Sequence, residues 1–286
     1  MPKPSLGISL WSTNHLLSPE LRQVIDAGAP CSSDCETGVR AYFNEIADLV
    51  LALENATVEL WPSPILDSDL AMEGLGRLAE AHRISSMHAP FRDLSALNEA
   101  DRKKNIDAHV EAARLLSRLG GKILVIHGSG HFSDESELAQ RSRLSAESIA
   151  QLAEQCAHIG VRVAIELLSP PQVGHSAALL LYLLAVADHP NVGVCIDVNH
   201  IFPPSSIVPT IRLLGPNIWT LHISDYDGVA ERHWLPKQGV IDWPALINVL
   251  GEINYTGAFV YEVCFEAPSV ADGVQAIKQN YERLVE

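Results

Sequence analysis

Ionisable side chains interrupt a series of otherwise apolar runs in this chain of 286 residues. Glu59 lies in Val58-Glu59-Leu60, His88 in Met87-His88-Ala89 and His127 in Ile126-His127-Gly128. Glu166 lies in Ile165-Glu166-Leu167, Asp197 in Ile196-Asp197-Val198, His222 in Leu221-His222-Ile223 and Glu262 in Tyr261-Glu262-Val263. A lone polar group among apolar neighbours is costly unless it finds a partner. If the fold collects these residues, Glu166, Asp197 and Glu262 would repel one another or take up protons. A divalent cation would neutralise them, and His222 would complete a set of three carboxylates and one imidazole. Oxygen and nitrogen donors without sulfur suit Mn²⁺, Mg²⁺, Co²⁺ or Zn²⁺.

The elements that must position these groups alternate along the whole chain. Apolar runs cover Leu6–Trp11, Thr57–Trp61, Ile84–His88, Ile123–His127, Val161–Leu168, Val192–Val198, Ile218–Ile223 and Ala258–Val263. Their near-continuous apolar character is that of parallel strands covered on both faces. Helical periodicity marks Tyr42–Leu53, Leu70–His82, Ala100–Leu119, Glu135–His158, Ser205–Leu214 and Ser269–Val285. Ala177–Ala187 is apolar nearly all round and is expected to be buried. Asp242 reads as the N-cap of Pro244–Leu250. Eight such units predict an α/β fold, a (β/α)8 TIM barrel forming one domain over residues 1–286. A doubly wound sheet competes, but no G-x-G-x-x-G follows a strand. In a barrel the ionisable residues converge at the C-terminal mouth, where active sites form. A long loop is expected between the first strand and helix, at about 12–39. It would serve as a substrate lid or be an insertion with its own short helix, Glu20–Ile25.

Composition narrows the partners. Lys plus Arg number 20 and Asp plus Glu 35, a formal charge of −15. That disfavours tracking along nucleic acid or an acidic membrane. Hydrophobic residues make up 47%, enough for a large core. The longest apolar run is about half the ~20 residues of a membrane span, and the first residues, Met1-Pro2-Lys3-Pro4-Ser5, lack a signal-peptide core. Cysteines 31, 35, 156, 195 and 264 suit a reducing cytoplasm, and Cys31 and Cys35 lack the second pair of a metal clip. A cytoplasmic enzyme is expected, and homo-oligomer formation follows only from its general prevalence.

The ordered set Glu166, Asp197-x-x-His200, His222 and Glu262 resembles the xylose isomerase-like barrel superfamily, in particular its sugar isomerase and ketose 3-epimerase branch. Trp234-Leu235-Pro236-Lys237-Gln238-Gly239-Val240-Ile241-Asp242-Trp243 is similar to that branch's Pro-Gly-x-Gly-x-Ile-Asp-Trp, with Lys237 replacing the first glycine. The resemblance implies one divalent metal on Glu166, Asp197, His222 and Glu262, with Glu166 and Glu262 also the acid/base pair. It implies a sugar or sugar-phosphate substrate, proton abstraction beside a carbonyl and a metal-stabilised cis-enediolate. His200 would bind a substrate oxygen. The branch's arginine six residues after the strand-seven histidine is Gly228 here, leaving Arg232 or Lys237 as substitutes.

Type-IV apurinic endonucleases share the barrel and bind three zinc ions. Their ligand pattern is similar to His88, His127, Glu166, Asp197, His200, His222, Glu231-Arg232-His233 and Glu262, with Glu231 in place of an aspartate. Additional zinc therefore has candidate ligands. Against DNA repair stand the acidic charge, a first loop with Arg22 as its cation before the loop's end, and a Phe91-Arg92-Asp93 tip poorly suited to wedging a duplex. His88, His127, His200 and His233 could instead line a sugar pocket. A metal-dependent dehydratase or lyase would use the same groups, and a non-catalytic binding module is the alternative outside enzymes. An amidohydrolase is disfavoured because the first strand has no His-x-His. His82, His109 and His158 read as surface or cap residues, and His189 as part of a turn. His15 and His131 are loop residues on the catalytic side, and Trp11 and Trp61 could stack on a sugar or pack the barrel.

Overall fold

A computed structural model describes residues 4–30, 32–132 and 134–286. The first three residues and Cys31, both weighed above, lie outside that range. The eight strands are β1 Leu6–Ser9, β2 Thr57–Leu60, β3 Ile84–His88, β4 Ile123–Ile126, β5 Arg162–Glu166, β6 Val192–Asp197, β7 Ile218–Ile223 and β8 Phe259–Tyr261. Each falls inside one of the apolar runs. They close into a parallel barrel in sequence order, with β1 paired to both β2 and β8. The helices are α1 Trp11–Asn14, α2 Pro19–Ala27, α3 Ser33–Leu51, α4 Asp69–Glu80, α5 Glu99–Arg118, α6 Leu138–His158, α7 Ala177–Ala187, α8 Ile207–Leu214, α9 Trp243–Glu252 and α10 Val270–Val285. Asp242 caps α9 by accepting from Ala245 N–H at 3.1 Å. Among the described residues no helix is long and apolar enough to cross a membrane.

Side chains alternate across a strand, so residues two apart share a face. The pairs Ser86/His88, Val125/His127, Ala164/Glu166, Cys195/Asp197, Thr220/His222 and Val260/Glu262 therefore repeat one pattern. The lower member is small or apolar and the upper one is ionisable. Val125, Ala164 and Cys195 form a buried cluster separate from the main core, which lies between the strands and the helices. This small cluster is the floor beneath the mouth. Register then sets the neighbours above it: Asp197 lies beside His222 and Glu166 beside Cys195.

Three expectations change. The 12–39 segment carries the short helix expected at Glu20–Ile25, as α2, but it is helical elsewhere too, and α3 begins at Ser33 rather than near Tyr42. Gly38, which reads as a loop residue, lies within α3 where a Cβ would come 2.8 Å from Leu21 of α2. The start of the segment is also fastened down. Ser12 Oγ donates to Tyr261 O at 2.9 Å and accepts from Val263 N–H at 2.8 Å. α7 is not fully buried. Ala177, Leu180, Leu183 and Ala187 face inward, while Tyr182 and Val186 are exposed on its outer face. His109 is buried on α5 rather than at the surface, and its Nδ1 donates to Asn105 O at 2.6 Å.

Burial lowers the His109 pKa to about 4, from an ordinary value near 6.5. Between those values the unfolded chain binds a proton that the folded chain does not. Stability therefore falls as pH drops from about 6.5 to about 4 and levels off below, a loss of roughly 3 kcal/mol from this one group. Urea denaturation across that interval should show a flatter acid slope in His109→Leu than in the wild type. Equal slopes would mean that His109 does not remain neutral in the folded chain.

Candidate active site

Four carboxylates and one histidine meet inside the mouth. Glu59, Glu166, Asp197, His222 and Glu262 are all buried. Glu262 Oε2 lies 2.8 Å and Glu166 Oε1 3.5 Å from His222 Nδ1. On the other side of the ring, Glu59 Oε1 lies 2.9 Å from Nε2. Glu59 keeps its second oxygen on Ser86, whose hydroxyl donates at 2.8 Å. Asp197 uses one oxygen to accept from Asn199 N–H at 2.8 Å.

Around these close contacts several atoms lack a well-aligned hydrogen bond. Asp197 Oδ2, Glu262 Oε2, Glu59 Oε1 and both ring nitrogens of His222 are buried without an aligned hydrogen bond. Orphaned buried polar atoms are rare and call for a partner. Ligand atoms of Glu166, Asp197 and His222 lie within 4.8 Å of one another, as do those of Glu59, His222 and Glu262. This donor set fits a divalent cation. Of the four residues expected to hold one, Glu166, Asp197 and His222 share the first group, and Glu262 joins His222 in the second.

The histidines expected nearby surround this centre. His88 Nε2 and His127 Nε2 each lie 3.2 Å from Glu166 Oε2. His200, in the single turn Val198–His200, donates from Nδ1 to Leu167 O at 2.8 Å and sets Nε2 3.5 Å from Asp197 Oδ2. His233 Nδ1 donates to Glu262 O at 3.0 Å. Two further groups of compatible ligand atoms result: His88 with His127 and Glu166, and Asp197 with His200 and His233. Glu231 Oε2 lies 3.6 Å from His200 Nε2 at the rim.

The weaker candidates turn elsewhere. Arg232 Nε donates to Asp227 at 2.7 Å, and Lys237 Nζ donates to the Arg283 carbonyl on α10. Lys237 nonetheless keeps the left-handed backbone of the glycine it replaces, at φ 73°. Its N–H donates to Asp225 Oδ2 at 2.9 Å. Asp225, also at the end of β7, is thus a peg for the loop to α9. It also accepts from Tyr226 N–H, Ile241 N–H and Trp243 Nε1–H. At Gly239 a Cβ would meet Tyr226 O at 2.1 Å, so the loop requires glycine there.

Charge is distributed unevenly. Burial opposes ionisation of Glu166 and Glu262, but the His222 charge and contacts hold both below the usual carboxylate range. Burial raises Asp197, and the charges of Glu262 and Glu166 push the same way. His222 stays well above its ordinary value despite burial because the carboxylates surround it. Burial likewise opposes the charge on His200, yet Asp197, Glu231 and Glu166 raise it to about 10. His88 is raised by Glu166 against burial, whereas burial prevails at His127 and lowers it.

Glu59 and Phe91 also belong to the site. Glu59 was visible as a lone acid on an apolar strand, but its partner His222 is 163 positions away. Phe91, at the tip that the sequence makes a poor duplex wedge, forms an aromatic wall with Trp61. Their ring centroids are 5.4 Å apart, and both rings lie 4.8 Å from His88. Trp11, beside Trp61 at 6.1 Å between ring centroids, lies 4.9 Å from His233.

Comparison with known proteins gives the setting. A Methanocaldococcus jannaschii protein, MJ1311, is 24% identical over 213 residues, 70% of each chain. The fructoselysine 3-epimerase of Escherichia coli O157:H7 is 26% identical over 121 residues, 41% of this chain and 44% of the epimerase. Among solved structures, a D-tagatose 3-epimerase-like protein superposes with a TM-score of 0.71 at 19% identity, covering 98% of both chains. The profile of the xylose isomerase-like TIM barrel family matches residues 47–282, and the chain belongs to that family.

Proposed function

We propose that the protein is a divalent-metal-dependent isomerase or epimerase of a sugar or sugar phosphate. The observation that carries this reading is the pair of buried glutamates, Glu166 and Glu262, directed at His222 Nδ1 from 3.5 and 2.8 Å. The partial relationship to a named 3-epimerase supports it. Glu166, Asp197, His222 and Glu262 would hold the ion. When bound, the ion supplies Lewis acidity at a carbonyl and its neighbouring hydroxyl.

The chain's own residues move the proton. Either glutamate, held ionised below the usual range, can accept a proton from the carbon beside the carbonyl. The other, once protonated by water or a neighbouring imidazolium, returns one to the opposite face, giving an epimer. Return by the first glutamate to the neighbouring carbon gives an isomer. His88, raised by Glu166 against burial and with Nε2 3.2 Å from that carboxylate, can reload it when protonated. His200 and His233 are placed to bind substrate oxygens. Glu59 acts through His222: with Nε2 facing a carboxylate, Nδ1 is left for the centre. Such outer partners fix the tautomer and raise the donor strength of a metal-binding histidine.

The two additional ligand groups favour a second reading, in which up to three zinc ions bind. Metal analysis of the purified chain separates the readings. One ion per chain is expected, and three zincs with cleavage of an abasic duplex would favour an endonuclease.

Two sets of variants test the roles. Glu166→Gln and Glu262→Gln should each lower kcat by about 10²–10⁴-fold with the fold retained by circular dichroism. A wild-type rate in either variant contradicts the proposed pair. Glu59→Gln should weaken metal binding by about 10–100-fold in a chelator competition and alter the Co²⁺ absorption spectrum. An unchanged affinity and spectrum would reduce Glu59 to a packing residue.

A further inference from the structure

A cavity of about 570 Å³ opens at the end of the barrel opposite the mouth. Ser5, Thr57, Lys122, Arg162, Ile218 and Ala258 line it, each at or just before the first residue of a strand. Alternation puts Thr57 on the face of β2 that carries Glu59, and Arg162 on the face of β5 that carries Ala164 and Glu166. Both therefore belong to the barrel interior, beneath the floor formed by Val125, Ala164 and Cys195. The chemistry here is the reverse of the mouth's. Among the described residues no aspartate or glutamate lines the cavity, in a chain whose formal charge is −15. Lys122 and Arg162 start adjacent strands, and Arg162 N–H donates to Lys122 O at 2.8 Å. Their charges repel, and an anion seated between them is attracted to both. Among the described residues neither forms an ion pair; Arg162 lies over the Trp219 ring instead, 4.8 Å from its centroid. Thr57 Oγ1 is buried with no hydrogen-bond partner. Ser86, higher in the same cavity, already donates to Glu59.

We propose that this cavity is a second binding site, for a tetrahedral oxyanion of the phosphate type, free or carried on a small organic group. A guanidinium stacked on an aromatic face is held in place while its edge N–H groups stay available, the geometry that suits phosphate oxygens. The Lys122 ammonium adds a second positive charge, and the Thr57 hydroxyl adds a donor that the fold leaves unused. Polar groups of this kind in a concave site fix a ligand's orientation, and the volume exceeds what one oxyanion fills. Trp219 and Tyr255 are the surfaces against which an attached organic group would rest. The site is distinct from the reaction proposed for the mouth and stands or falls without it.

Isothermal titration calorimetry with inorganic phosphate and with phenyl phosphate tests this, on the wild type and on Arg162→Gln and Lys122→Gln. The wild type should bind at least one of them in the millimolar range or more tightly. Arg162→Gln should weaken that binding by at least about tenfold, and Lys122→Gln should weaken it in the same direction. Equal affinity for the two anions identifies free phosphate as the occupant, and tighter binding of phenyl phosphate identifies a phosphate ester. Wild-type crystals soaked in arsenate give a second readout that no substitution can disturb. An anomalous arsenic peak beside Arg162 and Thr57 is expected. Absence of binding, binding that survives both substitutions, or an arsenic peak confined to the mouth would overturn the proposal.

Discussion

Concentrating buried carboxylates around one imidazole is the constraint to which the rest of this barrel answers. Glu59, Glu166, Asp197 and Glu262 are withdrawn from water within one mouth. Each ionised carboxylate so placed carries a desolvation cost of several kcal/mol unless its charge is compensated. His222 compensates in part, contacting three of them from the two sides of its ring. Ser86 and the Asn199 amide take one oxygen each from Glu59 and Asp197. Asp197 Oδ2, Glu262 Oε2 and His222 Nδ1 remain for a cation to collect.

The barrel makes this arrangement reproducible. Strand alternation places each ionisable residue two positions above a small or apolar one, and strand register sets its lateral neighbour. The loops add what the strands cannot. The loop after β7 carries Glu231 and His233, and Asp225 fixes it through four hydrogen bonds. Trp11, Trp61 and Phe91 build an aromatic rim against the histidines. Buried carboxylates below and aromatic walls above keep water out, and excluding water strengthens each electrostatic contact.

The strands and their ionisable ends were legible because burial on both faces leaves apolar runs in which a lone His, Asp or Glu stands out. Order along the chain was enough to expect Glu166, Asp197, His222 and Glu262 together. Glu59 was legible as an oddity but not as a partner, because its role depends on the far side of the barrel. The 12–39 segment misled because Gly38 reads as a breaker, whereas in the fold it allows α2 and α3 to approach closely. α7 misled in the opposite way. Its all-round apolar composition implies burial, yet Tyr182 and Val186 remain exposed. Lys237 lacks glycine's freedom but is held in glycine's backbone conformation by a hydrogen bond from its amide to Asp225.

These buried donors are proposed to hold a cation. Anomalous diffraction from crystals grown with Mn²⁺ tests this most directly. The expected result is a strong peak bounded by Glu166, Asp197, His222 and Glu262, absent after chelation. A mouth without a peak, with the same carboxylates hydrogen-bonded to one another through retained protons, would contradict it.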